Sequence, residues 1–243
     1  RLTCYSARVP RCSPVMLMSL QSLSLSSVDI DEHMLQHIIV FWPLKKLCLQ
    51  YCFGIDNLSI PNRSKQELLG VYGSIPSGGS LKLETSSIKN FSYGGDDEFD
   101  PRWPFNFSLD SKKNLSELDV SFIRILDSAF DKLVSELSSI KIVSFNNCTM
   151  PQNISIRSVT LEQLDLGYCS ELTNITLDTP QLKTFFYNSS DLQLSSVTSI
   201  HCICNACVKL TPDDKFDTQS LVRINGLLSR SKCFNAVSLD PCY

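Results

Sequence analysis

The chain has 243 residues, 43% of them hydrophobic, with 22 basic and 25 acidic side chains for a formal charge of −3. That supplies a sizeable core for one domain spanning 1–243. No block of Lys and Arg offers a footprint for phosphates, and no apolar run approaches the roughly 20 residues of a membrane span, so neither a nucleic-acid nor a membrane partner is expected.

Residues 1–16, RLTCYSARVPRCSPVM, carry Pro and Cys without a period and read as a degenerate first turn or cap. A chain that begins at Arg1 with no initiator Met and no charged-then-apolar leader reads as a piece of a longer product. From Leu23 onward one pattern keeps returning. A central apolar position recurs at Leu23, Leu47, Leu69, Phe91, Leu118, Val143, Leu164 and Phe185, in steps of 21 to 27 residues. Self-similarity at such a period marks a solenoid. The units read LxxLxL, and their last two apolar positions lie two apart, as in Leu23/Leu25, Leu47/Leu49, Leu118/Val120, Val143/Phe145, Leu164/Leu166 and Phe185/Tyr187. That is the period of a strand. One short strand cannot bury its apolar side alone, so each unit must stack on a neighbour and merge its aliphatic residues into a shared core. The expected fold is α/β: a right-handed leucine-rich-repeat solenoid, or horseshoe, with a parallel β-sheet on the concave face and a mixed helical and irregular convex face.

The return paths differ from turn to turn. After Ile30, the run DEHMLQHIIVFW places Met34, Leu35, Ile38 and Trp42 at helical spacing, and Pro43 ends it. Asp127 to Ile140 repeats the pattern with Phe130, Leu133, Val134 and Leu137. The tails Ile55-x-x-Leu58-x-Ile60 and Leu172-x-x-Ile175-x-Leu177 bring the chain back along the far side. The turn between 164 and 185, too short for a helix, is expected to be irregular or 3₁₀. Residues 212–243 form a helix–strand cap, with a helix over Gln219 to Leu228 and a last strand around Val237 to Leu239.

Eleven cysteines are an odd number, and Cys52, Cys148 and Cys169 each fall three residues after the second strand position. This is a repeat position and not a disulfide framework, and it suits the reduced cytosol or nucleus. The cluster from His201 to Cys207 has soft ligands but lacks the paired C-x-x-C spacings of a zinc site. His33 and His37 are four apart, yet Met34 stands where H-E-x-x-H has its Glu. Asp96, Asp97, Glu98 and Asp100 lack the ordered spacing of a calcium loop. No G-x-S-x-G elbow, P-loop or dinucleotide fingerprint occurs. Neither catalysis, a metal nor a cofactor is expected.

The stretches LKKLCLQYC, LEQLDLGYC, SLQSLSLSSVDIDEHMLQHII, IKNFSYGG, PQLKTFFY and DTQSLVRINGLLSRSKCFNAVSL together resemble the leucine-rich-repeat domain of plant F-box proteins of the ribonuclease-inhibitor-like group. The resemblance implies a substrate receptor: an F-box docks on the adaptor of an SCF-type E3 ubiquitin ligase, and the repeats hold the protein to be ubiquitinated. This chain has no recognisable F-box, so the adaptor would be reached only through an F-box outside it.

In such a solenoid the residues flanking and separating the strand leucines face outward and are the candidates for holding a protein substrate. They include Lys46, Gln50, Tyr72, Glu117, Asp119, Asn146, Gln163, Asp165, Phe186 and Asn188. Phe186 is the sharpest candidate, because Phe185 and Tyr187 on either side should turn inward and leave it out as an anchor. The acidic stretch GGDDEFDPRWPFN is expected to project as a rim loop with Trp103 as a contact.

Two other readings compete. Asn57, Asn62, Asn106, Asn114, Asn147, Asn153, Asn174 and Asn188 each begin an N-x-S/T acceptor, as an extracellular leucine-rich-repeat ectodomain would, although Asn147, beside Cys148, is expected in a buried turn. A truncated decoy that keeps the recognition surface without ligase recruitment is the third.

Overall fold

The structure, a computed structural model, describes residues 2–5, 19–75, 79–95, 114–135, 139–189, 194–199, 204–210, 222, 225–226, 229 and 234–241. The chain divides into two compact units, 1–118 and 119–243. The architecture is α/β, with mostly parallel strands and few helices.

The first unit carries β1 (Leu2–Tyr5), β2 (Ser22–Ser26), α1 (Glu32–Phe41), β3 (Lys46–Gln50), β4 (Asn57–Ile60), β5 (Leu68–Tyr72), β6 (Ser80–Leu83) and β7 (Asn90–Gly94), and β8 (Glu117–Ser121) lies at the division. Strands β1-β2-β3-β5-β7 pair in that order, all parallel. Their register runs Leu2↔Leu23↔Leu47↔Leu69↔Phe91. It is the register the repeat predicts from Leu23 onward, with one further strand supplied by the unperiodic amino-terminal residues. Alternation does the sorting: Leu23, Leu25, Leu47 and Leu49 are buried, while Ser22, Ser24, Lys46 and Gln50 between them are not. On the return side, β4 and β6 form a second parallel pair.

Helix α1 starts where Asp31 accepts the Met34 N–H at 2.9 Å, an N-cap. It ends where the Trp42 N–H reaches the Ile38 carbonyl at 3.1 Å, just before Pro43. The buried stripe is Leu35, Ile38 and Ile39. Met34 is exposed and not inward as the spacing suggested, because the helix packs on β4, with the Gln36 amide donating to the Ser59 carbonyl at 3.0 Å.

The second unit carries α2 (Asp127–Ser135), β9 (Ile142–Asn146), β10 (Asn153–Arg157), β11 (Gln163–Gly167), β12 (Asn174–Asp178), β13 (Thr184–Ser189), β14 (Ser196–Ser199), β15 (Cys204–Leu210) and β16 (Phe234–Pro241). Strands β9-β11-β13-β15-β16 pair in parallel, aligning Val143↔Leu164↔Phe185↔Ala206↔Val237. Helix α2 buries Phe130 and Leu133, whereas Val134 is half-buried and Leu137 lies outside the described residues. The expected carboxy-terminal helix is helical at Val222, Asn225, Gly226 and Ser229, and β16 contains the expected last strand.

The expectation for one return path fails. The return between 164 and 185 is neither irregular nor 3₁₀: its residues form β12, which pairs in parallel with β10 and β14, aligning Ile154↔Ile175↔Val197. Buried backbone N–H and C=O groups need partners. Successive turns of nearly equal length bring the three tails into line, and a ladder satisfies them where a helix would not fit.

The strand exits share one conformation. Ser27, Tyr51 and Gly73 in the first unit, and Phe122, Asn147 and Tyr168 in the second, all have φ between 51° and 54°. Each sits just past a strand and donates its N–H to a carbonyl at the end of the next strand in the sheet, as in Tyr51 to Tyr72 at 2.8 Å and Asn147 to Gly167 at 2.7 Å. The left-handed residue turns the chain into the core, and a small buried group follows. Cys52, Cys148 and Cys169 donate their thiols back to the Leu25, Val120 and Phe145 carbonyls at 3.4 to 3.5 Å. Ser74 takes the same place after β5, donating to the Tyr72 carbonyl and accepting the Cys52 N–H, both at 2.9 Å. Burial pushes the Cys148 thiol up to about 12 and Cys169 further in the same direction, so both remain neutral donors.

Leu164 is fully buried between Val143 and Phe185. Leu164→Ala should cost about 2–5 kcal/mol in denaturant unfolding, and Leu164→Asp should leave the second unit unfolded by circular dichroism. At the first unit's strand exit, Gly73 has φ +52° and an added Cβ would meet the Tyr51 ring at 2.6 Å. Gly73→Ala should therefore lower Tm, by more than Gly226→Ala, where nothing lies within 4 Å.

Candidate functional site

Parallel strands that bury every second residue leave a row of outward residues at every other position. In the first unit Lys46 and Gln50 are exposed at the two ends of β3, and the half-buried Cys48 stands between them. Tyr72 ends β5, but a Cβ added at Gly70 would lie 3.1 Å from its Cε2. The ring folds back over the glycine instead of standing out. Glu117 accepts a hydrogen bond from the Asn90 amide.

At the strand entrances, charges alternate. Glu67 lies between Lys45 and Lys89 at 3.8 and 2.9 Å, and Glu162 lies between Lys141 and Lys183 at 3.1 and 2.5 Å. The lysine beside each, Lys89 and Lys183 first, holds its carboxyl below the ordinary range. These rows sit in solvent and add little stability; with two lysines to each glutamate they leave that edge with an excess of positive charge.

The face of the second unit is different. Asp165 of β11 stands opposite Ser144 of β9 on one side and Phe186 of β13 on the other. The Phe122 N–H bonds the Asn146 carbonyl at 3.0 Å, the same offset by which Tyr168 bonds Asn188. That offset places Asp119 opposite Ser144. The row therefore reads Asp119, Ser144, Asp165, Phe186. In the next row, Asn146, Gly167 and Asn188 align.

Within this face, the Asn146 amide donates to Ser144 Oγ at 2.9 Å and, at 3.5 Å, to Asp119, while the Gln163 amide donates to both Asp165 oxygens at 3.0 and 3.3 Å. A Cβ on Gly167 would meet Asn146 Oδ1 at 2.3 Å, so the amide oxygen lies across the glycine. Burial raises both aspartates above the ordinary carboxyl range. The Gln163 hydrogen bond partly offsets this at Asp165, and the charge of Asp119 adds to it. Among the described residues neither aspartate has an ion-pair partner within 4 Å.

Phe186 is 37% exposed, whereas Phe185 and Tyr187 beside it are 0% and 1% exposed. The alternation thus turns it outward. Three outward aromatics went unnoticed at the strand exits: Tyr51, Phe122 and Tyr168, exposed to 39%, 38% and 41%. A signal existed in the recurring Tyr-Cys of LCLQYC and LDLGYC. Bulky residues at positive φ are rare and mark positions held by surrounding structure.

Trp103 and the acidic stretch from Asp96 to Asp100 lie outside the described residues, as do His201 and Cys202. His37 stacks on Phe41 with ring centroids 4.6 Å apart. No group of metal-ligating side chains occurs among the described residues, and no described helix is long and apolar enough to cross a membrane. Asn147 is exposed, contrary to the buried turn expected for it: its left-handed conformation sends the side chain out as Cys148 goes in.

No protein-family model, curated protein or solved structure matches the chain.

With its pKa raised, Asp165 binds its proton more tightly in the folded chain than in the unfolded one. Stability therefore falls as pH rises from the ordinary carboxyl range through the folded value, and stays lower above it. Asp165→Asn should melt higher than the parent chain at neutral pH. The gap should close below about pH 4, where both states of the parent are protonated.

Proposed function

We propose that this chain is a leucine-rich-repeat recognition module, a right-handed solenoid whose concave sheet holds another protein. The module serves as the substrate-binding part of an SCF-type E3 ubiquitin ligase, joined to the adaptor through an F-box outside this sequence. The observation that carries the reading is the recurrence of one turn. An in-register parallel strand, a left-handed exit residue and a buried thiol or hydroxyl bonded to the backbone repeat along each unit. The thiols of Cys52, Cys148 and Cys169 are free, which fits a reducing cytosol or nucleus.

Binding, and not catalysis, is the role these side chains suit. The strand faces carry Asn, Gln, Ser, Asp and an outward Phe, which supply hydrogen bonds and an apolar anchor. Fold alone does not specify a partner. Proximity labelling in plant cells should mark a set of proteins around the wild-type chain that Phe186→Ala loses. When the chain is fused behind an F-box, those proteins should accumulate on proteasome inhibition. Identical labelling by the two chains would defeat the reading.

One observation favours a second reading, the extracellular ectodomain: Asn57, Asn62, Asn114, Asn147 and Asn153 are exposed. Against it, Asn153 is tied into the return ladder, accepting the Asn174 amide at 2.7 Å. Expression in a secreting host separates the two. Full glycan occupancy with an unchanged melt supports the ectodomain, and loss of folding supports the intracellular module.

A further inference from the structure

The outward face of β8, β9, β11 and β13 in the second unit has an excess of acceptors. Asp119 and Asp165 flank Ser144 in one row. With strands about 4.8 Å apart, their backbones are about 10 Å apart across a short side chain. Asn146 Oδ1 leans over Gly167 beside this notch. Asn188 Oδ1, next along that row, is screened from water and has no donor among the described residues. On β15, Lys209 aligns with Asn188 at the far end of that next row, two strands from Asp165; the cations of the unit whose side chains are described are elsewhere. Lys141 and Lys183 are held by Glu162 at the strand entrances, Arg124 pairs with Glu171 at 3.4 Å, Lys132 is on α2 and Arg157 is on β10 of the second sheet.

Two carboxylates left half-buried without a cation are unfavourable for the chain alone. The aromatic Phe186 adjoins Asp165 on the next strand. A lysine ammonium would satisfy the charge but not the geometry. A guanidinium is planar, carries five donors in a fork that matches carboxylates, and stacks on an aromatic ring.

We infer that this face docks an arginine of a protein partner, its guanidinium lying over Ser144 between Asp119 and Asp165 and its plane against Phe186. The inference rests on the recognition reading above and names the chemistry of the partner: an exposed basic segment with arginine at the contact, not an acidic or purely apolar one. Charge complementarity selects it, because the row Asp119, Ser144, Asp165, Phe186 offers acceptors and negative charge and no basic residue.

Selection of random dodecapeptides on the full chain tests it. Enriched peptides should carry arginine in preference to lysine. Against one synthesised winner, Asp119→Asn/Asp165→Asn should bind about ten- to a hundredfold more weakly, the loss of charge-assisted hydrogen bonds. Phe186→Ala should narrow the preference for that peptide over its Arg→Lys version. The double variant should melt no lower than the parent, so lost binding will not be lost folding. Arginine peptides held equally by the double variant would overturn the inference. Enriched peptides without arginine whose binding still depends on Phe186 would also overturn it, while leaving the recognition reading in place. No enriched peptide at all would defeat both.

Discussion

Register is the constraint on which everything else here depends. Side chains alternate with a period of two, so a strand that slips by one residue against its neighbour exchanges its whole buried set for its exposed set. In each unit the strands stay in register, as in Leu23↔Leu47↔Leu69 and Val143↔Leu164↔Phe185. The same alignment that buries the leucines sets Asp165 beside Ser144 and Phe186. Core and face are thus two consequences of one ladder.

What holds that ladder in step is the exit of each strand. A left-handed residue there hands its N–H to a carbonyl at the end of the next strand in the sheet, and a thiol or hydroxyl three residues past the second apolar strand position bonds the backbone nearby. A neutral thiol suits the place, being small and apolar enough for the core yet able to donate once. Ser74 shows that the requirement is for a compact donor and not for sulfur. Val28 and Ile123, buried at the equivalent positions, show that packing alone can serve.

The two edges and the face divide the remaining labour. Lysine and glutamate alternate at the strand entrances, two lysines bridged by each glutamate. The exits present Tyr51, Phe122 and Tyr168, and the face of the second unit keeps carboxylates with raised proton affinity. Like charges half-removed from water oppose folding. Their presence beside an outward phenylalanine is what a surface built to receive a cationic side chain would retain.

The strands of the repeat from Leu23 to Phe185, both helices and the turn cysteines were legible in the chain because periods of two and of about 3.6 register directly in the order of residues. The outward course of Phe186 followed from the same alternation. Three features did not follow. That the short return after Leu172 is a strand depends on neighbouring turns of matching length offering it a ladder. That Tyr72 folds onto Gly70 depends on space left by a missing Cβ. That Asp119 and Asp165 sense one another depends on residues 46 apart in sequence being brought to alternate strands of one sheet. Local order determined which residues of the repeat strands alternate inward and outward. Only the stacking of turns decided which side chains meet, since that is set by the lengths of the connections and not by the residues that make the contact.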